Sequence, residues 1–161
     1  MMTLLISVRG QFIVAANIYL AAPFFNDDQI QRLQAVEQTL KTNPSVGNIF
    51  VPMNDTNATG LEIGTPQWRN LVYHEDLAGL ENADVVVAIY DYEAENSDPG
   101  TMFEIGFAVA NKIPVLVYYE NHQRVNLMIA QGLHYYCHQL AELSQLNFID
   151  LPEKPFTGEV F

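Results

Sequence analysis

The chain has 161 residues, enough for one core and too few for two ordinary domains, so residues 1–161 are expected to form a single domain. With 19 Asp plus Glu against 7 Lys plus Arg, its formal net charge is −12, and no basic run is present that could follow a phosphate backbone. That balance excludes nucleic acid as the expected partner and favours a neutral substrate over an anionic one, while 49% apolar residues give a globular composition.

The single cysteine, Cys137, rules out an intramolecular disulfide framework and a multi-cysteine metal site, and fits a reducing cytoplasm. The apolar stretch from Met1 to Pro23 is interrupted by Arg9, Gln11 and Asn17, so it reads as strand rather than as an export signal or membrane anchor. Residues 1–11 either add an N-terminal strand or form a loose extension. Phe12 to Ala21 has the pattern of a buried strand, and Asn26, Asp27 and Asp28 after Pro23 are capping residues for a helix. Ile30, Leu33, Val36, Glu37 and Leu40 carry that helix to about Asn43-Pro44.

Asn48 to Pro52 predicts a short second strand, Met53 to Gly64 a polar surface loop, and Thr65-Pro66 a capped helix start. Asp84 to Tyr90 is a β-branched run of the kind found in central parallel strands buried on both faces. An acidic loop from Asp91 to Gly100 then leads to a helix over Thr101–Lys112, a strand over Pro114–Tyr119, and a helix that includes Asn126 to Gly132. This alternation predicts a doubly wound α/β domain, a flavodoxin-like three-layer sandwich around a mainly parallel five-stranded sheet. Its ligand should sit at the carboxyl ends of the strands, in Tyr19–Phe25, Asp91–Gly100 and Tyr118–Asn126.

The segment Asp98 to Ala108 joins the central strand to the next helix. Glu104 falls about one turn into that helix, where the positive end of the dipole favours a carboxylate. It stands beside the apolar stripe of Ile105, Ala108 and Val109, and Gly100 and Gly106 permit close approach of backbone or ligand. On this segment alone, a carboxylate that only complements the dipole remains an alternative. In the preceding helix, Asp76 shares a four-residue spacing with Trp68, Val72 and Leu80. A carboxylate on such a face is either paired or has its pKa raised, and a raised pKa suits a general acid near neutral pH. The other reading is an Asp bonded to a loop or a tyrosine at the rim of the core. His74 and Glu75 point elsewhere and read as solvated. No zinc spacing, P-loop or nucleophile elbow is present, so no metal or organic cofactor is expected. Two carboxylates in different environments suit glycosyl transfer, N-glycosides included.

Five short pieces in one order, Ile18-Tyr-Leu-Ala-Ala-Pro-Phe-Phe25, Trp68-Arg69 through Asp76-Leu77, Ala83-Asp84, Asp98 to Gly106 and Asn126-Leu127-Met128, resemble the nucleoside 2-deoxyribosyltransferases. The likeness runs from about residue 18 to the end. It implies transfer of 2-deoxyribose between nucleobases, purine or pyrimidine, in nucleoside salvage, with deoxynucleosides and free bases as partners. By that resemblance Glu104 matches the nucleophile and Tyr19 the tyrosine that holds it oriented and ionised. Asp76 matches a carboxylate at the leaving base, and Asp98 another that shapes the sugar and base site. Asn126 and Met128 match residues lining the sugar; the stretch from Asn126 to Gly132 looks like purine-restricted members, whereas Phe24 lies in a Pro-Phe-Phe loop that also occurs in broad-specificity ones. The closing Thr157-Gly-Glu-Val-Phe161 resembles a terminal segment whose chain-end carboxylate completes a neighbouring subunit's site, which implies a homo-oligomer. Phe161 replaces the tyrosine often found there, removing any contact through a ring hydroxyl. Singly, Tyr19 reads equally as a sheet aromatic, Asn126 as a helix cap and Met128 as core filling. Two rival functions stay open: a 2-deoxynucleoside 5-phosphate N-hydrolase, for which Ala21-Ala22-Pro23-Phe24-Phe25 offers no Ser-rich or Arg-bearing phosphate loop, and a non-catalytic nucleotide-binding domain.

Overall fold

The computed structural model describes residues 4–8, 11–93, 96–121 and 123–161. Strands β1 (Leu4–Val8) and β2 (Gln11–Ala21) lead into helix α1 (Asp27–Lys41), strand β3 (Val46–Phe50), a helical turn α2 (Pro52–Asp55) and helix α3 (Pro66–Glu81). Strand β4 (Val85–Ile89), the small pair β5 (Tyr92–Glu93) and β6 (Asn96–Ser97), helix α4 (Pro99–Ala110) and strand β7 (Val115–Tyr118) follow. Helix α5 (Leu127–Gly132), strand β8 (Tyr135–Cys137) and the turn α6 (Leu140–Leu143) complete the order.

Five strands run parallel in the order β3-β2-β4-β7-β8. Counted along the chain this is the 2-1-3-4-5 order of flavodoxin-like domains, with the reversal of direction between β2 and β4. The expected architecture is therefore observed, with one addition at the N-terminus. Strand β1 pairs antiparallel with the first half of β2, from Leu4 opposite Ala15 to Val8 opposite Gln11. Of the two expectations for residues 1–11, the strand is realised over 4–8, and the remaining residues other than Gln11 lie outside the described ones. The acidic loop expected over Asp91–Gly100 contains the β5–β6 pair and the start of α4, with residues 94 and 95 outside the described ones.

Strand residues alternate between two cores because successive side chains leave a strand on opposite faces. Ile18, Leu20, Val85, Val87, Ile89 and Leu116 join Leu33, Val36 and Leu40 of α1 and Leu143 of α6 on one face. Tyr19, Ala21, Val86, Ala88, Tyr90 and Val117 join Leu80 of α3, Ile105 and Ala108 of α4 and Ile129 of α5 on the other. Every residue of β4 is buried, as a strand covered on both faces requires. On the α1 face, buried Asn43 closes the turn after the helix, its side-chain amide donating to the carbonyls of Leu143 at 2.7 Å and Leu146 at 2.8 Å. Each buried amide hydrogen thus finds an acceptor.

The other face is the one that builds a site. Thr65 caps α3, with its side chain accepting from Trp68 N–H at 3.3 Å and Pro66 in the first turn. At Gly79 a Cβ would stand 2.8 Å from the Phe50 ring, so only glycine lets α3 close onto β3 there. Phe50 in turn stacks on Tyr19, with ring centroids 5.5 Å apart and planes at 16°. A chain of contacts from α3 through β3 therefore fixes a β2 tyrosine at the point where strand order reverses. Among the described residues no helix is long and apolar enough to cross a membrane.

Candidate active site

Helix α4 begins at Pro99, two residues before the expected start, because Asp98 is its cap. The Asp98 Oδ2 atom accepts from the Thr101 N–H at 2.6 Å and from the Thr101 hydroxyl at 2.7 Å. Those bonds satisfy a free amide at the helix start and fix the direction in which α4 leaves the sheet. Ile105 and Ala108 dock the helix on the sheet, which turns the adjacent Glu104 toward the end of β2. There the Tyr19 hydroxyl donates to Glu104 Oε1 at 2.5 Å.

Glu104 and Asp76 line one cavity of about 300 Å3, together with Tyr73, Leu77, Leu80, Gly100 and Phe103. Its walls are mostly apolar with two carboxylates converging on it, the composition of a small-molecule site. Burial drives the Glu104 pKa up from its ordinary 4.5 to about 7; the Tyr19 hydrogen bond pulls it down, and the charges of Asp76 and Asp98 add to the rise. The Tyr19 hydrogen bond thus favours the ionised carboxylate, and burial outweighs it. Tyr19 itself is fully buried beside a carboxylate, so its pKa is far above the ordinary value and it remains a neutral donor. The pKa of Asp76 is also raised, first by burial and further by the Glu75 charge, against a hydrogen bond from Thr56.

Both readings offered by the spacing of Asp76 are realised: it is bonded to a loop and its pKa is raised. Thr56 donates to Asp76 Oδ1 at 2.6 Å. Glu75 is not simply solvated, since it accepts from the Asn57 N–H at 2.8 Å, whereas His74 is exposed. Thr56 lies in a loop whose polar sequence carries no periodic signal. Tyr73 and Leu77 were legible: residues 73, 76, 77 and 80 have the i, i+3, i+4, i+7 spacing of one helical face, which the four-residue spacing from Trp68 does not follow. Gly100, Phe103 and Glu104 form the facing stripe on α4.

One chain thus brings together Glu104, Tyr19 and Asp76, with Asp98 close by as the helix cap. Four other expected residues do not line this cavity. Phe24 packs on the α1 face of the sheet and stacks with Phe25 at 5.4 Å. Asn126 caps α5, its side chain accepting from Met128 N–H at 2.9 Å, and its own N–H donates to the Tyr90 hydroxyl at 3.2 Å. Met128 is 76% exposed. A main-chain oxygen of Phe161 accepts from Leu127 N–H at 3.0 Å, while Val160 forms a parallel bridge with Val125. The Arg124 guanidinium lies 5.7 Å from the Phe161 ring centroid.

Residues 18–139 match the family model described as nucleoside 2-deoxyribosyltransferase. A nucleoside deoxyribosyltransferase of Limosilactobacillus fermentum is 30% identical over 154 aligned positions, covering 86% of this chain and 90% of that one. The protein of the same name from Lactobacillus leichmannii is 27% identical, covering 81% and 88%. Among solved structures, the 2-deoxyribosyltransferase of Bacillus psychrosaccharolyticus superimposes with a TM-score of 0.80 at 31% identity, over 88% of this chain and 99% of that one. The parallel sheet, the carboxylate-lined cavity between α3 and α4 and these likenesses agree, and the chain belongs to the nucleoside 2-deoxyribosyltransferases, enzymes that transfer deoxyribose.

Proposed function

We propose that transfer proceeds in two displacements through a covalent deoxyribosyl ester of Glu104, in the recycling of nucleosides. The observation that carries this reading is the Tyr19–Glu104 hydrogen bond of 2.5 Å in a cavity that Asp76 also lines. Tyr19 occupies Oε1 and leaves Oε2 to attack C1 of the sugar as the bond from C1 to the base nitrogen breaks. The bond's electron pair stays on the base, and Asp76 supplies the proton that neutralises it. An incoming base then attacks C1 from the opposite face, expels the carboxylate and returns a proton to Asp76. Two inversions give net retention. The absence of a 2-hydroxyl favours the cation-like transition state. By the resemblance of the Pro23-Phe24-Phe25 loop, and against that of residues 126–132, we read the base specificity as broad. Incubation of thymidine with adenine should release thymine and form deoxyadenosine. Failure to consume thymidine would remove the broad reading, and preference for a 5-phosphate donor would favour the hydrolase.

The two carboxyls share a pH requirement, since Glu104 must be charged and Asp76 protonated. Their titrations are coupled, so the active form is the pair holding one proton. The kcat/KM profile is therefore expected to be a bell, falling in acid where both are protonated and in alkali where both are ionised, with burial moving both limbs above the ordinary carboxylate range. A flat profile across this range would contradict the pairing.

We further propose that Asn126, Met128 and Phe161 serve the site of a second copy. Supporting this, Met128 is 76% exposed and Leu127 49%, and Val160 and Phe161 on the docked tail are 40% and 46% exposed. A symmetric oligomer lets each chain give and receive such a segment. Deleting Val160 and Phe161 is expected to lower kcat/KM by about 10- to 100-fold, the effect of one lost charge-assisted hydrogen bond, with the circular dichroism spectrum unchanged. A fully active truncated monomer, identified by solution mass, would end this shared-site reading.

A further inference from the structure

The loop after α2 is tied to α3 at consecutive positions. Thr56 donates to Asp76 Oδ1 at 2.6 Å, and the next N–H, that of Asn57, donates to Glu75 at 2.8 Å. The approach to this point is equally fixed: Asp55 Oδ2 accepts from the Val51 N–H at 2.6 Å, and the Thr56 N–H reaches the Pro52 carbonyl at 3.3 Å. Thr56 is half-buried and Asp76 opens onto the cavity that holds Glu104. The loop therefore presents a preorganised donor to one oxygen of a site carboxylate.

We infer that Thr56 is a positioning residue for Asp76: its hydroxyl occupies Oδ1, so that the proton given to the nucleobase is carried on Oδ2, facing the cavity. This rests on the reading of Asp76 as the general acid. A hydroxyl bonded to Oδ1 tolerates both protonation states, because Oδ1 is a carbonyl oxygen in the acid and half of a carboxylate in the base. It also fixes rotation about the carboxyl group, which otherwise exchanges its two oxygens. The ionisable groups around Asp76 are Glu75 on its own helix, Tyr19 from β2, and Glu104 from α4 with Asp98 at its cap. Tyr19 is neutral and the others are carboxylic acids, none of which offers a positive charge; the Glu75 charge opposes ionisation of Asp76. Thr56 is the counterweight: its hydrogen bond favours the charged form and keeps Asp76 strong enough to release its proton.

The test measures titration and leaving-group dependence. In proteins carrying Glu104→Gln to remove the coupled partner, carbon-13 carboxyl NMR should place the Asp76 midpoint about one pH unit higher in Thr56→Val than in the parent. Thr56→Ser, which keeps the hydroxyl, should leave that midpoint in place. With Glu104 intact, Thr56→Val should slow transfer from deoxyadenosine by about tenfold or more and from 5-fluoro-2-deoxyuridine much less, since the fluorinated base departs with less need of a proton. Thr56→Ser should restore the rate. An unmoved Asp76 titration in Thr56→Val, or equal loss with both donors and no rescue by serine, overturns the assignment. If Asp76→Asn discriminates between the donors and Thr56→Val does not, the Thr56 proposal alone falls. If Asp76→Asn slows both alike, the acid reading falls and takes this proposal with it.

Discussion

Replacing Glu104 by alanine is expected to lower the transfer rate by at least about three orders of magnitude, because no neighbouring group can take the place of a covalent nucleophile. Tyr19 has a hydroxyl and Asp76 a carboxylate, but the first is held as a neutral donor and the second is on the other helix. Folding should survive. The buried Tyr19 hydroxyl loses its partner, a cost of about 1–3 kcal/mol, but the variant no longer encloses a carboxylate. That second effect depends on pH. Burial raises the Glu104 pKa from 4.5 to about 7, so the folded state holds this proton more tightly than the unfolded state does. The contribution of Glu104 to wild-type stability is therefore greatest below its ordinary pKa and declines as pH rises toward the folded value. Alanine has no such decline. Thermal unfolding should find the variant closer to wild type, or above it, on the alkaline side of that window than on the acid side. Near-normal activity in the variant would remove Glu104 from the chemistry altogether.

Asp76→Asn is the second large effect, with an expected loss of about 100-fold or more for bases that must be protonated to depart. The amide keeps the shape and can still accept from Thr56, but it carries no acid proton. The loss should shrink as the leaving base becomes a better anion. Rates for a series of deoxynucleosides whose bases differ in acidity would show this as a steeper dependence on leaving-group pKa in the variant than in wild type. Parallel lines would assign Asp76 to binding rather than to proton transfer.

The fold was legible wherever burial imposed a period. Val85–Ile89, buried along its whole length, had the β-branched run expected of it, and Leu33, Val36 and Leu40 fell on the face that α1 buries. Strand β8 has no sequence signal of its own, because three residues, Tyr135–Cys137, are too few to establish alternation. Helix α4 starts two residues before Thr101, because the Asp98-Pro99 pair at the end of the acidic loop is a cap followed by proline in the first turn. Glu104 beside an apolar stripe and Asp76 among apolar neighbours on α3 were legible as candidates, and the two line one cavity. Thr56 was not, since its meeting with Asp76 joins positions 20 residues apart through a loop without periodicity. Asn126, Met128 and Phe161 rest on resemblance, and within one chain they do not line the Glu104 cavity.

The central claim is the covalent ester, and mass spectrometry tests it most directly. Wild-type protein should be incubated with a deoxynucleoside in the absence of acceptor base, quenched in acid and digested. The peptide containing Glu104 should carry the added mass of one deoxyribosyl group, lost on addition of adenine before the quench and absent from the Glu104→Ala protein. An adduct on any other peptide, or complete transfer with no adduct on the Glu104 peptide at any time in a rapid-quench series, would contradict the two-displacement account.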